Sequence, residues 1–198
     1  MRMPKNSQEI PHAERRAKVL DEAIRQFAGN GYRATSITAI AKVLGLSSAA
    51  VHWYFPTKDD LFAEVLTSMF HAATERASGD PDLGGDPRAE LISVLEELDP
   101  HKALVREAYE RLNTSSTLRE AYAKVLQWAD DRLIRAIAQR VSEDADVDLL
   151  AETAHVLLEG LLVSVRTRDR SIADMIDLLI DPLAAAAAAR PRGGTTGS

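Results

Sequence analysis

Between residues 35 and 57 the chain is punctuated at a spacing that leaves its backbone few options. Ser36 precedes Ile37, Ile40, Ala41 and Leu44, apolar at i, i+3, i+4 and i+7, which is one face of a very short helix. A serine oxygen accepts from the otherwise unpaired N–H groups of a first turn, so Ser36 is placed to cap this helix, and Gly45 to end it in left-handed backbone. Ser47 can cap a second short helix, which must stop before Pro56, because the residue ahead of a proline is pushed out of helical backbone. Thr57 then opens a longer helix with Leu61, Phe62, Val65, Met69, Phe70 and Ala73 inward. Asp60 stands where a capping-box acid belongs, although Glu is the usual choice.

The second short helix has two faces with different requirements. Taking Val51 as the centre of its buried face and turning about 100° per residue, Ser47, Ser48, Tyr54 and Phe55 fall near that centre. Ala49 and Trp53 point almost directly away, with Ala50 and His52 on the flanks. An indole and an imidazole left in water are costly unless a partner covers them. A short helix, a glycine turn and a second short helix form a helix-turn-helix, whose second helix enters the DNA major groove. The two alanines let the backbone approach base edges, and a methyl can touch a thymine methyl. Ring N–H groups of His52 and Trp53 can reach phosphates, and Lys58 adds charge at helix N–H groups that already favour an anion. The plain alternative, that these rings are core, suits Tyr54 and Phe55 and strains at Trp53.

A net charge of −6 would speak against a polyanion, but the charge is unevenly spread. Residues 1–60 carry nine Lys/Arg against six Asp/Glu, while the rest carries fifteen against twenty-four. A mildly basic head on an acidic body reads as a module facing nucleic acid joined to a part with another task, with chance segregation as the alternative. The absence of cysteine excludes a disulfide framework and any thiolate metal site, and suits a cytoplasmic location. The opening "MRMPKNSQEIPHAERR" has no apolar run after its charges, so no secretory signal is read there. No apolar stretch is long enough to suggest a membrane span.

Helical periodicity covers the remainder. Pro11 should start a helix with Leu20, Ala23, Ile24 and Phe27 as its apolar stripe, closed by Gly29 and Gly31. "SGDPDLGGDP" (78–87) reads as a loop between helices. Helices are expected at roughly 89–98, 101–113, 117–142, 147–167 and 171–189, followed by a disordered tail at 191–198. The expected fold class is all-α, with about nine helices. Residues 149–165 are apolar on nearly every side, and Ile172, Met175, Ile176, Leu179, Ile180 and Leu183 follow. Two such helices either sit at the centre of a monomer or meet their symmetry mates in a four-helix interface; the need to pair two reading helices on DNA favours the dimer. Tyr109, Tyr122, Trp128, His155 and Glu159 are the large or polar groups inside apolar helices, hence candidates to line a ligand pocket. The alternative is that each is a satisfied core residue.

The stretch "ATSITAIAKVLGLSSAAVHWYFPTKDDLFAEVL" (34–66) resembles the DNA-binding segment of TetR-type transcriptional regulators. The matching elements are Thr35-Ser36-Ile37, Ile40-Ala41, Leu44-Gly45-Leu46-Ser47, Tyr54-Phe55, Lys58 and Leu61, and the likeness extends back through residues 13–32. It implies a three-helix DNA-binding domain at 1–57 and, at 58–190, a helical domain that dimerises and binds a small-molecule effector. By position, the DNA contacts it implies are Ser36, Thr38, Ser47, Ser48, Ala49, Ala50, His52, Trp53, Tyr54 and Lys58. Many relatives carry Lys, Gly and Thr where this chain has Ser48, Ala49 and Ala50, which leaves few long donors for base edges. Specificity then falls to thymine methyls, water or DNA shape. The family's habit is repression: a homodimer on a palindromic double-stranded operator, released by its effector. No cofactor, metal or membrane partner is implied. An enzyme would need a catalytic motif, and none of the familiar ones is present; a helical protein-interaction scaffold would leave Trp53 and the basic head unexplained.

Overall fold

The computed structural model describes residues 12–141, 147–165 and 169–188. Among the described residues there are nine α-helices, one 3-10 turn and no strand. The chain divides into two compact units, Met1–Val65 and Leu66–Ser198, with the boundary inside the fourth helix. The expected tail at 191–198 and the start of the first helix at Pro11 lie outside the described residues.

In the first unit, α1 (His12–Ala34) buries Val19, Ala23 and Phe27 at i, i+4 and i+8, with Glu22 beside them. Leu20 and Ile24, expected on that stripe, are only half-buried. Of the two glycines expected to close the helix, Gly31 acts and Gly29 does not. The helix breaks at Gly31 (φ 77°, ψ 171°), a conformation open to glycine because it has no Cβ, and resumes to Ala34. The Thr35 hydroxyl ties this end down, donating toward the carbonyls of Gln26 and Gly31 at 3.1 and 2.9 Å.

The two short helices follow the punctuation closely. In α2 (Ile37–Val43) the Ser36 hydroxyl accepts from Ala39 N–H at 3.1 Å, and Ile37, Ile40 and Ala41 are buried. Its end is a Schellman motif: Gly45 (φ 66°) donates to Lys42 O at 3.2 Å and Leu46 donates to Ala41 O at 2.9 Å. In α3 (Ser48–Tyr54) the Ser47 hydroxyl accepts from Ala50 N–H at 3.2 Å. Helix α4 (Lys58–Gly79) starts with a reciprocal box, Thr57 N–H donating to the Asp60 carboxylate at 2.9 Å and Asp60 N–H donating to the Thr57 hydroxyl at 3.0 Å.

The second unit continues with α5 (Pro87–Leu98), a 3-10 turn (Asp99–His101), α6 (Lys102–Glu110), α7 (Ser116–Ala138), α8 (Val147–Val163) and α9 (Ile172–Ala188). Its core joins Leu91, Leu133, Ile137, Leu158, Ile176 and Ile180, drawn from α5, α7, α8 and α9. Two charged pairs brace it. Arg132 of α7 donates to the buried Glu90 of α5 at 2.6 Å, and Arg88 holds Asp177 of α9 through two bonds at 2.5 and 2.6 Å.

Candidate nucleic-acid interface and effector cavities

Helix α3 is too short to be held by propensity; packing and caps hold it. Val51 is wholly buried and Phe55, at its C-terminal cap, nearly so. Opposite them Ala49 and His52 are exposed, and Trp53 is 69% exposed. Ser48, Ala50 and Tyr54 are half-buried on the flanks, so Tyr54 packs the unit less fully than Phe55. Ser36, Thr38 and Ser47 are exposed at the same end, and the Ser48 hydroxyl donates to the Thr38 hydroxyl at 3.1 Å, tying α3 to α2. The caps leave Ser36 and Ser47 with hydroxyls already engaged by backbone N–H groups.

Three side chains carry constraints that sequence reading did not anticipate. The Nδ1 of His52 lies 3.0 Å from Pro56 O. A carbonyl only accepts, so Nδ1 carries a proton there, and whenever the ring is neutral Nε2 is its acceptor. That suits an exocyclic base amine in the groove better than a phosphate oxygen. The Trp53 indole meets the His12 ring edge-on at 4.3 Å, and His12 also lies 4.7 Å from the Tyr54 ring. His12 therefore belongs to this surface; it sits off the apolar stripe of α1, and no periodic signal could have singled it out. Lys58, the first residue of α4, holds its ammonium 4.0 Å above the Tyr32 ring. Its side chain is positioned by an aromatic face on the first turn of a long helix.

The five pocket candidates separate in the second unit. Tyr122 is buried and lines a cavity with Leu66, Met69, Phe70, His101 and Val105. Trp128 lines a neighbouring cavity, with Phe70 edge-on at 5.5 Å and the Arg132 guanidinium over its ring at 5.1 Å. Tyr109 is exposed but its ring lies tilted against that of Tyr122, centroids 5.7 Å apart, and Glu159 is close enough for its charge to act on the Tyr122 phenol. His155 lies apart: its Nδ1 is 2.6 Å from an Asp130 carboxylate oxygen, and it lines neither cavity. His155 thus pairs across helices with α7 and not with Glu159, one turn on in its own helix. Among the described residues no cluster of His, Asp and Glu could hold a metal, and no helix is long and apolar enough to cross a membrane.

Residues 19–65 match the family profile described as bacterial regulatory proteins, tetR family. The HTH-type transcriptional regulator AcrR of Shigella flexneri is 26% identical, over 75% of each chain. The HTH-type transcriptional repressor AcnR of Corynebacterium jeikeium is 25% identical over 89% of this chain and 95% of its own. Among solved structures, a putative transcriptional regulator from Saccharomonospora viridis in complex with choline is 26% identical, covers 85% of this chain and 94% of its own, and superposes with a TM-score of 0.63.

Proposed function

We propose that this chain, which belongs to the TetR family of bacterial regulatory proteins, is a ligand-responsive transcriptional repressor that occupies a palindromic operator as a homodimer. The relatives that match it over 75% and 89% of its length are a transcriptional regulator and a transcriptional repressor, not enzymes. The observation that carries the reading is the division of α3: Val51 is sealed in the core while Ala49, His52 and Trp53 stand in solvent on the opposite side. An exposed face of small and aromatic groups, on a helix capped at its start by Ser47 and anchored by the buried Val51 and Phe55, is what a major groove accepts. Residues 1–57 are the reading domain. Ala49 and Ala50 approach the bases, His52 accepts from a base amine, and Trp53, Tyr54 and Lys58 flank the groove. Ser36, Thr38, Ser47 and Ser48 meet the backbone at the helix starts.

Residues 58–190 are the dimerising and effector-binding domain. Val156 and Leu157 on α8 and Leu178 on α9 are exposed apolar side chains, which supports pairing through the last two helices. The choline held by the Saccharomonospora regulator supports a small-molecule effector here. An effector releases the operator only to the extent that it binds the released state more tightly than the bound one. The absence of cysteine supports a cytoplasmic place of work.

Ala49→Glu tests the reading. A carboxylate at the most exposed methyl of α3 should lower operator affinity by more than 100-fold while leaving dimer mass and helicity unchanged. Gel shifts with a duplex selected from a random pool measure it; retained affinity would remove α3 from the groove.

A further inference from the structure

Two neighbouring apolar cavities of the second unit are small, each about 40 Å³, and share Phe70, Leu98, Val105 and Val125 in their walls; a larger, polar cleft lies apart from them between Glu90, Arg132 and Arg135. The cavity lined by Tyr122 is otherwise apolar except for the half-buried His101. Tyr122 is 6% exposed, and its hydroxyl has no hydrogen-bond partner among the described residues. A buried hydroxyl left unpaired is unfavourable, and phenylalanine would fill the same space without that penalty. A water in this cavity would find only the phenol and the His101 ring as polar side chains, fewer partners than a buried water usually has. An oxygen attached to an apolar body satisfies the phenol and covers the aliphatic walls at once.

The charges nearby select against ions of either sign. Burial, with help from the Glu159 carboxylate and Tyr109, pushes the Tyr122 pKa up, so the phenol keeps its proton and the local field repels an anion. A cation fares no better, because Glu159, whose charge would favour it, lines neither cavity. The indole face of Trp128 is occupied by the Arg132 guanidinium, and Asp99, in the wall of the second cavity, already faces Lys102 at 3.9 Å. Resting on the ligand-responsive reading above, we infer that the effector is an uncharged, largely apolar molecule with one acceptor oxygen, held between α4, α6 and α7 by a hydrogen bond from the Tyr122 hydroxyl. Small-molecule sites are about 300–1,000 Å³. Entry therefore requires the shared wall to yield, and Phe70, on α4 with its ring edge-on to Trp128, is the largest of the four side chains that form it.

Calorimetric titration of the full-length protein tests this with a flat and a slender neutral alcohol, 2-naphthol and 1-octanol, against naphthalene, 2-naphthoate, octanoate and choline. At least one alcohol should bind, with its carboxylate counterpart and choline about 10-fold weaker or more. Tyr122→Phe should weaken the alcohol about 10-fold, leave naphthalene unchanged and not lower the melting temperature. Tighter binding of a carboxylate or of choline, no binding of either alcohol, or equal loss of naphthalene and alcohol in Tyr122→Phe overturns the inference. Should that variant fail to fold, a crystal structure of the wild type with the alcohol decides: its oxygen must lie within hydrogen-bond reach of the Tyr122 hydroxyl. Operator affinity measured on the same samples separates the two readings. An alcohol that binds through Tyr122 without weakening DNA binding leaves the site standing and sinks its regulatory role. Intact DNA binding without alcohol binding does the reverse.

Discussion

Trp53 and Phe55 are two aromatic residues at one end of one short helix, and they should fail in opposite ways. Trp53 is 69% exposed, its covered part resting on His12 and Tyr54, whereas Phe55 is 3% exposed with the Arg16 guanidinium over its ring at 4.8 Å. Full burial of a large apolar side chain contributes about 1.5–3 kcal/mol, so the third of the indole that is covered is worth about 0.5–1 kcal/mol to the fold. Phe55→Ala instead empties a core position and should cost about 3–5 kcal/mol. The order reverses on DNA. A tryptophan covered only by the duplex is a typical interface anchor, and Trp53→Ala should lose about 2 kcal/mol or more of operator affinity, roughly 30-fold. Urea unfolding followed by circular dichroism supplies the first comparison, and fluorescence anisotropy with a labelled operator duplex the second. If Trp53→Ala destabilised the protein as much as Phe55→Ala, or if it left affinity unchanged, the indole would not be the exposed anchor described here.

Lys58→Ala should weaken binding to every duplex alike and flatten the slope of log affinity against log salt by about one unit, because one phosphate contact is lost from α4; a change confined to particular base positions would contradict that role. Stability should also respond to acid through Arg88 and Asp177. The guanidinium, by hydrogen bonding and by charge, holds the Asp177 carboxyl below its ordinary range. A carboxylate with a depressed folded pKa contributes its stability at pH values above the unfolded pKa, about 3.9, and loses it as the pH falls through the lower folded value. Asp177→Asn should therefore lower stability near neutrality by a small, salt-sensitive amount, since the pair is partly exposed, and should shrink the difference from wild type below about pH 4. Unfolding curves across pH measure it, and a gap that widened in acid would reverse the assignment.

The parts of this protein that were legible in its sequence are those specified within a few residues of themselves. Ser36, Gly45, Ser47 and Thr57 with Asp60 each act through a bond to backbone no more than four residues away, so both short helices and the start of α4 could be placed without knowing what they pack on. The division of α3 followed from the same local geometry once Val51 was set inward. The first helix was harder, because Gly29 and Gly31 read alike in a sequence. Only Gly31 breaks the helix, and the tie that secures its end comes from Thr35, beyond the helix itself. The proposed effector cavities were least legible for the same reason carried further. His155 finds its partner Asp130 on another helix, twenty-five residues away, and the Tyr122 cavity is closed by side chains from α4, α5, the 3-10 turn, α6 and α7 that no periodicity relates to one another. What identifies Tyr122 is an unpaired hydroxyl, a property of three-dimensional surroundings alone. A reading domain assembled from local signals can therefore be recognised across distant relatives, while the ligand each one answers must be worked out from its own cavity walls.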